Sequence, residues 1–142
     1  MDISRKCALI IDDDHANLAI WELILGENGY EVHTADSVTV GMTFVSDKIT
    51  LYLVDYHLPD GHGTDLISYV REHHPTSMVV MVSMDDDADV IREAIKAGGN
   101  VFMVKPTSPS VMGQVLAEIE SGDLSSSDKQ LINRNGRRVY NQ

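Results

Sequence analysis

A chain of 142 residues, 43% hydrophobic and 23% charged, is long enough for one full core and too short for two, with the make-up of a globular protein in water. Its formal net charge of −11 argues against a surface for the nucleic-acid backbone. Cys7 is the one cysteine, so no disulfide closes within the chain, and no apolar run approaches the roughly 18 residues of a membrane span; a cytoplasmic protein is expected.

Cys7 to Ile11 (CALII) is a short continuous apolar run, the pattern of a strand buried on both faces, and it runs into Asp12, Asp13 and Asp14. From Asn17 to Glu27, Leu18, Trp21 and Leu25 recur at helical spacing, and Asn28-Gly29 supplies a left-handed stop. Tyr30, Val32 and Thr34 alternate with Glu31 and His33, which predicts a half-exposed strand near a sheet edge. Ser37 can cap a helix carrying Val38, Met42 and Val45 on one face, weakened by Gly41.

The third strand, around Leu51 to Val54, ends on Asp55 and is closed off by Pro59, Gly61 and Gly63. Thr64 is a candidate cap for a helix through Arg71, with Leu66, Ile67 and Val70 facing inward and Pro75 blocking continuation. Met78 to Met84 (MVVMVSM) is a fourth strand, broken only by Ser83 and followed by Asp85 to Asp87. Val90, Ile91, Ala94 and Ile95 form a helical stripe that stops at Gly98-Gly99. Val101 to Val104 is a fifth strand delivering Lys105-Pro106, and Ser108-Pro109 opens a last helix with Val111, Val115 and Ile119 on one face.

Strand and helix alternate five times with crossovers long enough for parallel strands, so the class is α/β with helices on both faces. The composition changes near the end: residues 1–120 carry 7 basic and 20 acidic residues, and 121–142 carry 4 and 2. The stretch 122–142 is Ser- and Asn-rich without useful periodicity, and reads as a polar linker or disordered tail behind a domain over 1–121.

In a doubly wound sheet the ligand crevice lies beyond the carboxyl ends of the strands. Those ends deliver Asp12 and Asp13, Asp55, Ser83 and Lys105. Clustered carboxylates repel one another and persist when solvated, protonated or neutralised by a cation. Oxygen donors with room left for water suit a small hard divalent ion, and Mg²⁺ is the natural choice. Such an ion reverses the local sign and bridges to phosphate oxygens, while Lys105 adds positive charge and the Ser83 hydroxyl a donor. The set can hold a phosphoryl group over a carboxylate that acts as nucleophile and becomes an acyl phosphate.

From about Lys6 to Glu120 the chain resembles the receiver domain of two-component response regulators. The resemblance rests on LIIDDD (9–14), LVDYHLPDGHG (53–63), VVMVSM (79–84) and VFMVKP (101–106), in order and at family spacing. It implies a flavodoxin-like sheet of five parallel strands in the order 2-1-3-4-5 with five helices. It implies a phosphorylation-activated switch, not an enzyme with turnover, in which Asp55 is the phosphoacceptor. Asp12, Asp13, Asp55 and the main-chain carbonyl of His57 would serve Mg²⁺, and Ser83 and Lys105 would contact the phosphoryl group. Phe102 matches the aromatic switch position, although an aromatic in mid-strand is also simply core, and the Lys105-Pro106 peptide is typically cis in the family.

The implied donor is a sensor histidine kinase or phosphotransfer protein. The implied readout, and possible dimer, face combines the fourth helix, fifth strand and fifth helix, toward an unknown output partner or domain. Ser83 stands where threonine is commoner. Met84 is larger than the usual neighbour of the hydroxyl, and with Asp85 to Asp87 it implies slow labelling by small anionic phosphodonors.

Two rivals share parts of the pattern. An aspartate-nucleophile phosphatase of the haloacid-dehalogenase type also shows Asp-x-Asp after its first strand, and Asp12 and Asp14 have that spacing. A flavodoxin shares the fold class, but its first loop should offer hydroxyls and backbone donors to a flavin phosphate, not three carboxylates.

Overall fold

In the computed structural model, which describes residues 6–85, 87–105, 108–133 and 135–141, each apolar run is a strand and each amphipathic stretch returns the chain to the same end of the sheet. In chain order the elements are β1 (Lys6–Ile11), α1 (His15–Glu27), β2 (Tyr30–Ala35), α2 (Val38–Phe44), β3 (Ile49–Asp55), β4 (His57–Leu58), β5 (Gly61–His62), α3 (Gly63–His73), β6 (Met78–Ser83), α4 (Ala88–Ala97), β7 (Val101–Val104), α5 (Pro109–Ser121), β8 (Gln130–Ile132) and β9 (Arg138–Asn141). The order β2-β1-β3-β6-β7 is all parallel, which is the expected 2-1-3-4-5 arrangement. No helix among the described residues is long and apolar enough to cross a membrane.

Successive strand residues point to opposite layers, which is why the strands read as continuous apolar runs. Ala8, Ile10, Leu53 and Val80 pack on one side against Trp21 and Leu25 of α1 and Met112, Val115 and Leu116 of α5. Leu9, Ile11, Tyr52, Val54, Val79 and Phe102 pack on the other against Leu66, Ile67 and Val70 of α3 and Ala94 of α4. Each buried Val, Leu, Ile, Met or Phe side chain among them contributes about 1.5–3 kcal/mol by leaving water.

Gly41 does more than weaken α2. A Cβ there would stand 3.0 Å from Leu66 Cδ1 and 3.1 Å from Ile11 Cδ1, so the glycine lets the short helix lie close on the sheet. α1 begins earlier than its apolar spacing suggests, because Asp14 caps it by accepting the amides of Ala16 and Asn17. α3 begins at Gly63 rather than after Thr64; Thr64 is buried and its hydroxyl donates instead to Glu93 Oε2 at 2.6 Å.

The stretch expected to be a linker or tail carries strands. β8 pairs parallel with the outer edge of β7 and β9 returns antiparallel, extending the sheet to seven strands. A three-residue strand is too short to display periodicity, yet Ile132 enters one apolar layer and Leu131 packs against the other. The Ser and Asp residues before it serve the body through their main-chain carbonyls: Asn100 Nδ2 donates to Ser126 O at 2.8 Å and to Asp128 O at 3.0 Å.

Candidate functional site

β1 and β3 lie side by side, so their carboxyl ends bring Asp12 and Asp55 to one place. Asp12 is 3% exposed and Asp55 8% exposed, which is unusual for carboxylates and requires compensation. Lys105, one residue beyond β7, supplies it: its Nζ lies 3.1 Å from Asp12 Oδ2 and 3.1 Å from Asp55 Oδ2. Asp12 Oδ1 also accepts the Asp14 amide at 2.9 Å, and Asn17 Nδ2 approaches Asp12 Oδ2 at 3.4 Å.

Asp13 is exposed at the rim, and carboxylate oxygens of Asp12, Asp13 and Asp55 lie within 4.8 Å of one another. Asp14 is not part of this cluster. Its side chain is spent on the α1 cap, which removes the Asp12/Asp14 pairing on which the phosphatase alternative rested.

The ionisation of the site follows from its charges. Burial pushes the Asp55 carboxyl up, Lys105 pulls it down and Asp12 pushes it up again, leaving it at about 6. Burial works against the charge on Lys105, but Asp55 and Asp12 together outweigh it and the ammonium is held above its ordinary value. Three carboxylates against one ammonium leave the cluster electron-rich. An oxygen-only donor set with residual negative charge and one exposed member fits a small hard divalent cation.

Ser83, at the end of β6, is 2% exposed, and its Oγ accepts the Asp85 amide at 3.1 Å. The Lys105 amide donates to the Ser83 carbonyl at 2.8 Å, tying the hydroxyl and the ammonium to one pair of strand ends. Met84 is 73% exposed, so its bulk stands in solvent beside the crevice. His57 is exposed on β4, its ring against Tyr56 and its Nε2 3.6 Å from Asp85 Oδ2; His62 stacks on Tyr56, which accounts for both histidines without a transition metal. Phe102 is buried at 2% exposure in mid-β7, paired with Met81 and packed against Gly99. The peptide bond to Pro106 lies outside the described residues.

Three residues support the site in roles not assigned from the sequence, where Gly63 only closes off the third strand. Gly63 donates its amide to Tyr56 O at 2.8 Å, and a Cβ on it would fall 2.2 Å from Asp55 O, so the loop closes tightly over the strand end. Asp60 accepts the Val38 and Thr39 amides at 2.8 Å each and so caps α2 from the loop after β3. Asn17 is the third. The glycines of Gly61-His62-Gly63 were the available signal for the first; the other two act on distant or common groups and carry none.

A protein-family model described as the response regulator receiver domain matches residues 8–117. The chain belongs to that family. Receiver domains are phosphorylation-activated switches of two-component signalling. Among curated relatives, the response regulator protein PilR of Pseudomonas aeruginosa is 31% identical over 116 residues, covering 81% of this chain and 26% of that protein. The transcriptional regulatory protein KdpE of Staphylococcus aureus is 31% identical over 129 residues, covering 90% and 55%. This receiver chain thus spans between about a quarter and a half of those relatives' length. A CheY-like response regulator receiver domain protein from Methanospirillum hungatei, solved by crystallography, superimposes with a TM-score of 0.75 at 30% identity, covering 84% of this chain and 99% of that one.

Proposed function

We propose that Asp55 is the phosphoacceptor of this receiver domain and that residues 1–121 form the switch, with β8 and β9 an added edge of the same sheet. The observation that carries this is the Lys105 ammonium bridging two buried carboxylates delivered by separate strands. A Mg²⁺ ion would be held by Asp12, Asp13 and Asp55 with the His57 carbonyl, and when bound it would neutralise these carboxylates and the charge of an incoming phosphoryl group.

In the transfer, an Asp55 carboxylate oxygen forms a bond to phosphorus as the bond from phosphorus to the donor's imidazole nitrogen breaks, and the freed imidazole takes a proton from water. Lys105 moves from carboxylate to phosphoryl oxygen. The Ser83 hydroxyl, whose oxygen accepts the Asp85 amide, keeps its own proton to donate to a second phosphoryl oxygen. No general base is needed because the nucleophile is used as its anion. The chain then acts as a phosphoacceptor with self-phosphorylation and self-dephosphorylation only, and not as an enzyme with turnover.

The donor is a phosphohistidine on a sensor histidine kinase or phosphotransfer protein in the cytoplasm. α1 supports such docking: it starts beside the acidic cluster and exposes Ile20 and Leu23 on the side away from the core, an apolar stripe suited to a partner helix. The implied output side of α4, β7 and α5 carries the β8–β9 hairpin along the outer edge of β7 and against α5, so a partner there would meet the hairpin as well.

Intact-mass measurement after incubation with acetyl phosphate and Mg²⁺ tests the assignment. A slowly formed, hydroxylamine-sensitive phosphoryl adduct is expected on the natural chain and not on Asp55→Asn. No adduct on the natural chain, or an undiminished one on the variant, overturns it.

A further inference from the structure

The four residues of β7 are gripped at both ends by different parts of the molecule. Past its carboxyl end, Lys105 reaches Asp12 and Asp55, and its amide holds the Ser83 carbonyl. Before its amino end sits Asn100, fully buried. Asn100 Oδ1 accepts the Val79 amide at 2.9 Å and Arg71 at 2.8 Å, while Nδ2 donates to the carbonyls of Ser126 and Asp128. Its own carbonyl accepts the Gln130 amide at 2.7 Å. Between these ends the outer edge of β7 is paired with β8: Val101 with Gln130, Phe102 with Leu131, Met103 with Ile132.

The docking of this hairpin is strong in some places and defective in one. Leu124 and Ile132 are buried in the layer that holds Met103, Met112 and Val115, Lys129 Nζ donates to Gly99 O at 2.9 Å, and Arg138 pairs with Glu118 of α5. Against these, Gln130 Oε1 is buried without a hydrogen-bond partner, which withdraws part of the stability that the apolar contacts supply. The hairpin is therefore expected to open more readily than the central strands β1, β3 and β6.

We propose that the β8–β9 hairpin reports the state of the acidic site through β7: docked in the unphosphorylated chain, loosened when a phosphoryl group on Asp55 recruits Lys105. This rests on the receiver reading and goes beyond it, since the family match ends at residue 117, before the hairpin. A phosphoryl group is contacted by Lys105 and Ser83, whose main chains are already bonded, so the carboxyl end of β7 moves with them. The Met103–Ile132 pair lies two residues away and is the first rung disturbed. Linkage makes the effect reciprocal: if site occupancy loosens the hairpin, loosening the hairpin strengthens binding at the site.

Hydrogen exchange on the full chain, with and without beryllofluoride and Mg²⁺, reads the forward direction. Amides of Gln130–Ile132 are expected to exchange about fivefold faster with the phosphoryl mimic, those of Leu51–Val54 no faster. Ile132→Ala reads the reverse, with beryllofluoride affinity raised about fivefold; Lys129→Ala serves if that variant loses its fold by circular dichroism. Fluorine NMR reports binding of the mimic independently. Bound fluoride with unchanged or slower β8 exchange, or with unchanged affinity in the hairpin variant, overturns this inference alone. No bound fluoride overturns the receiver reading of Asp55 and this inference together.

Discussion

Lys105 Nζ lies 3.1 Å from Asp55 Oδ2, and the two side chains are largely withdrawn from water, at 15% and 10% exposure. Replacing the ammonium by a neutral group of similar length, Lys105→Met, leaves Asp12 and Asp55 facing each other uncompensated. Without metal at pH 7, stability should drop by about 3 kcal/mol, the low end for breaking a buried pair because a carboxylate can take up a proton instead. Urea unfolding in EDTA and in Mg²⁺ checks this: the loss should shrink with metal, and an equal loss in both would count against the arrangement.

The Asp55 carboxyl sits at about 6, above its ordinary 3.8, chiefly through burial. The folded chain then holds this proton more tightly than the unfolded chain, so its contribution to stability is present at low pH and falls as pH rises from about 4 to 6. Asp55→Asn removes the titration. In EDTA the variant should be more stable than the natural chain at pH 7, with the gap closing toward pH 4. A gap independent of pH in urea titrations would contradict the assignment.

Asn100→Ala strands the Val79 amide and the carbonyls of Ser126 and Asp128 together. A loss of about 3 kcal/mol is expected from buried groups left unpaired. Limited proteolysis should then cut within 123–129 well before it cuts β3, and equal protection of both segments would show that the hairpin docks without Asn100.

Gln130→Leu should act the other way, raising stability by about 1 kcal/mol by deleting a buried acceptor that has no partner. Chemical denaturation measures this. By the linkage argued above, the same variant should bind beryllofluoride more weakly than the natural chain.

Gly63→Ala would place a methyl 2.2 Å from Asp55 O, against rigid backbone, and about 3 kcal/mol should be lost, the upper part of the range for overpacking. Gly41→Ala meets only side-chain ends at 3.0 Å or more, and about 1 kcal/mol is expected. Thermal melts of the two variants should rank them in that order.

The strands and the meeting of Asp12, Asp55 and Lys105 were legible because continuous apolar runs mark strands buried on both faces and such sheets gather functional groups at one end, whereas the strand order followed only from the resemblance to receiver domains. Asp14 was legible as an acid but not as the α1 cap, since an aspartate in a run of three carries no sign of which one turns outward. Thr64 looked like a cap and is instead a buried donor to Glu93, a partner on another helix. The hairpin was hidden for a different reason. Its anchor is one amide side chain, Asn100, whose partners in the tail are main-chain carbonyls, and those groups are the same in every sequence.

The Asp60 cap on α2 bears on the order of assembly. A seven-residue helix lies far below the length that persists alone in water, and this one takes its first amide bonds from a carboxylate 22 positions downstream. Ser37 caps α2 locally, but the Asp60 bonds form only once β3 and the following loop are in place, so α2 is expected to mature late: substitutions within it should accelerate unfolding while leaving the refolding rate almost untouched.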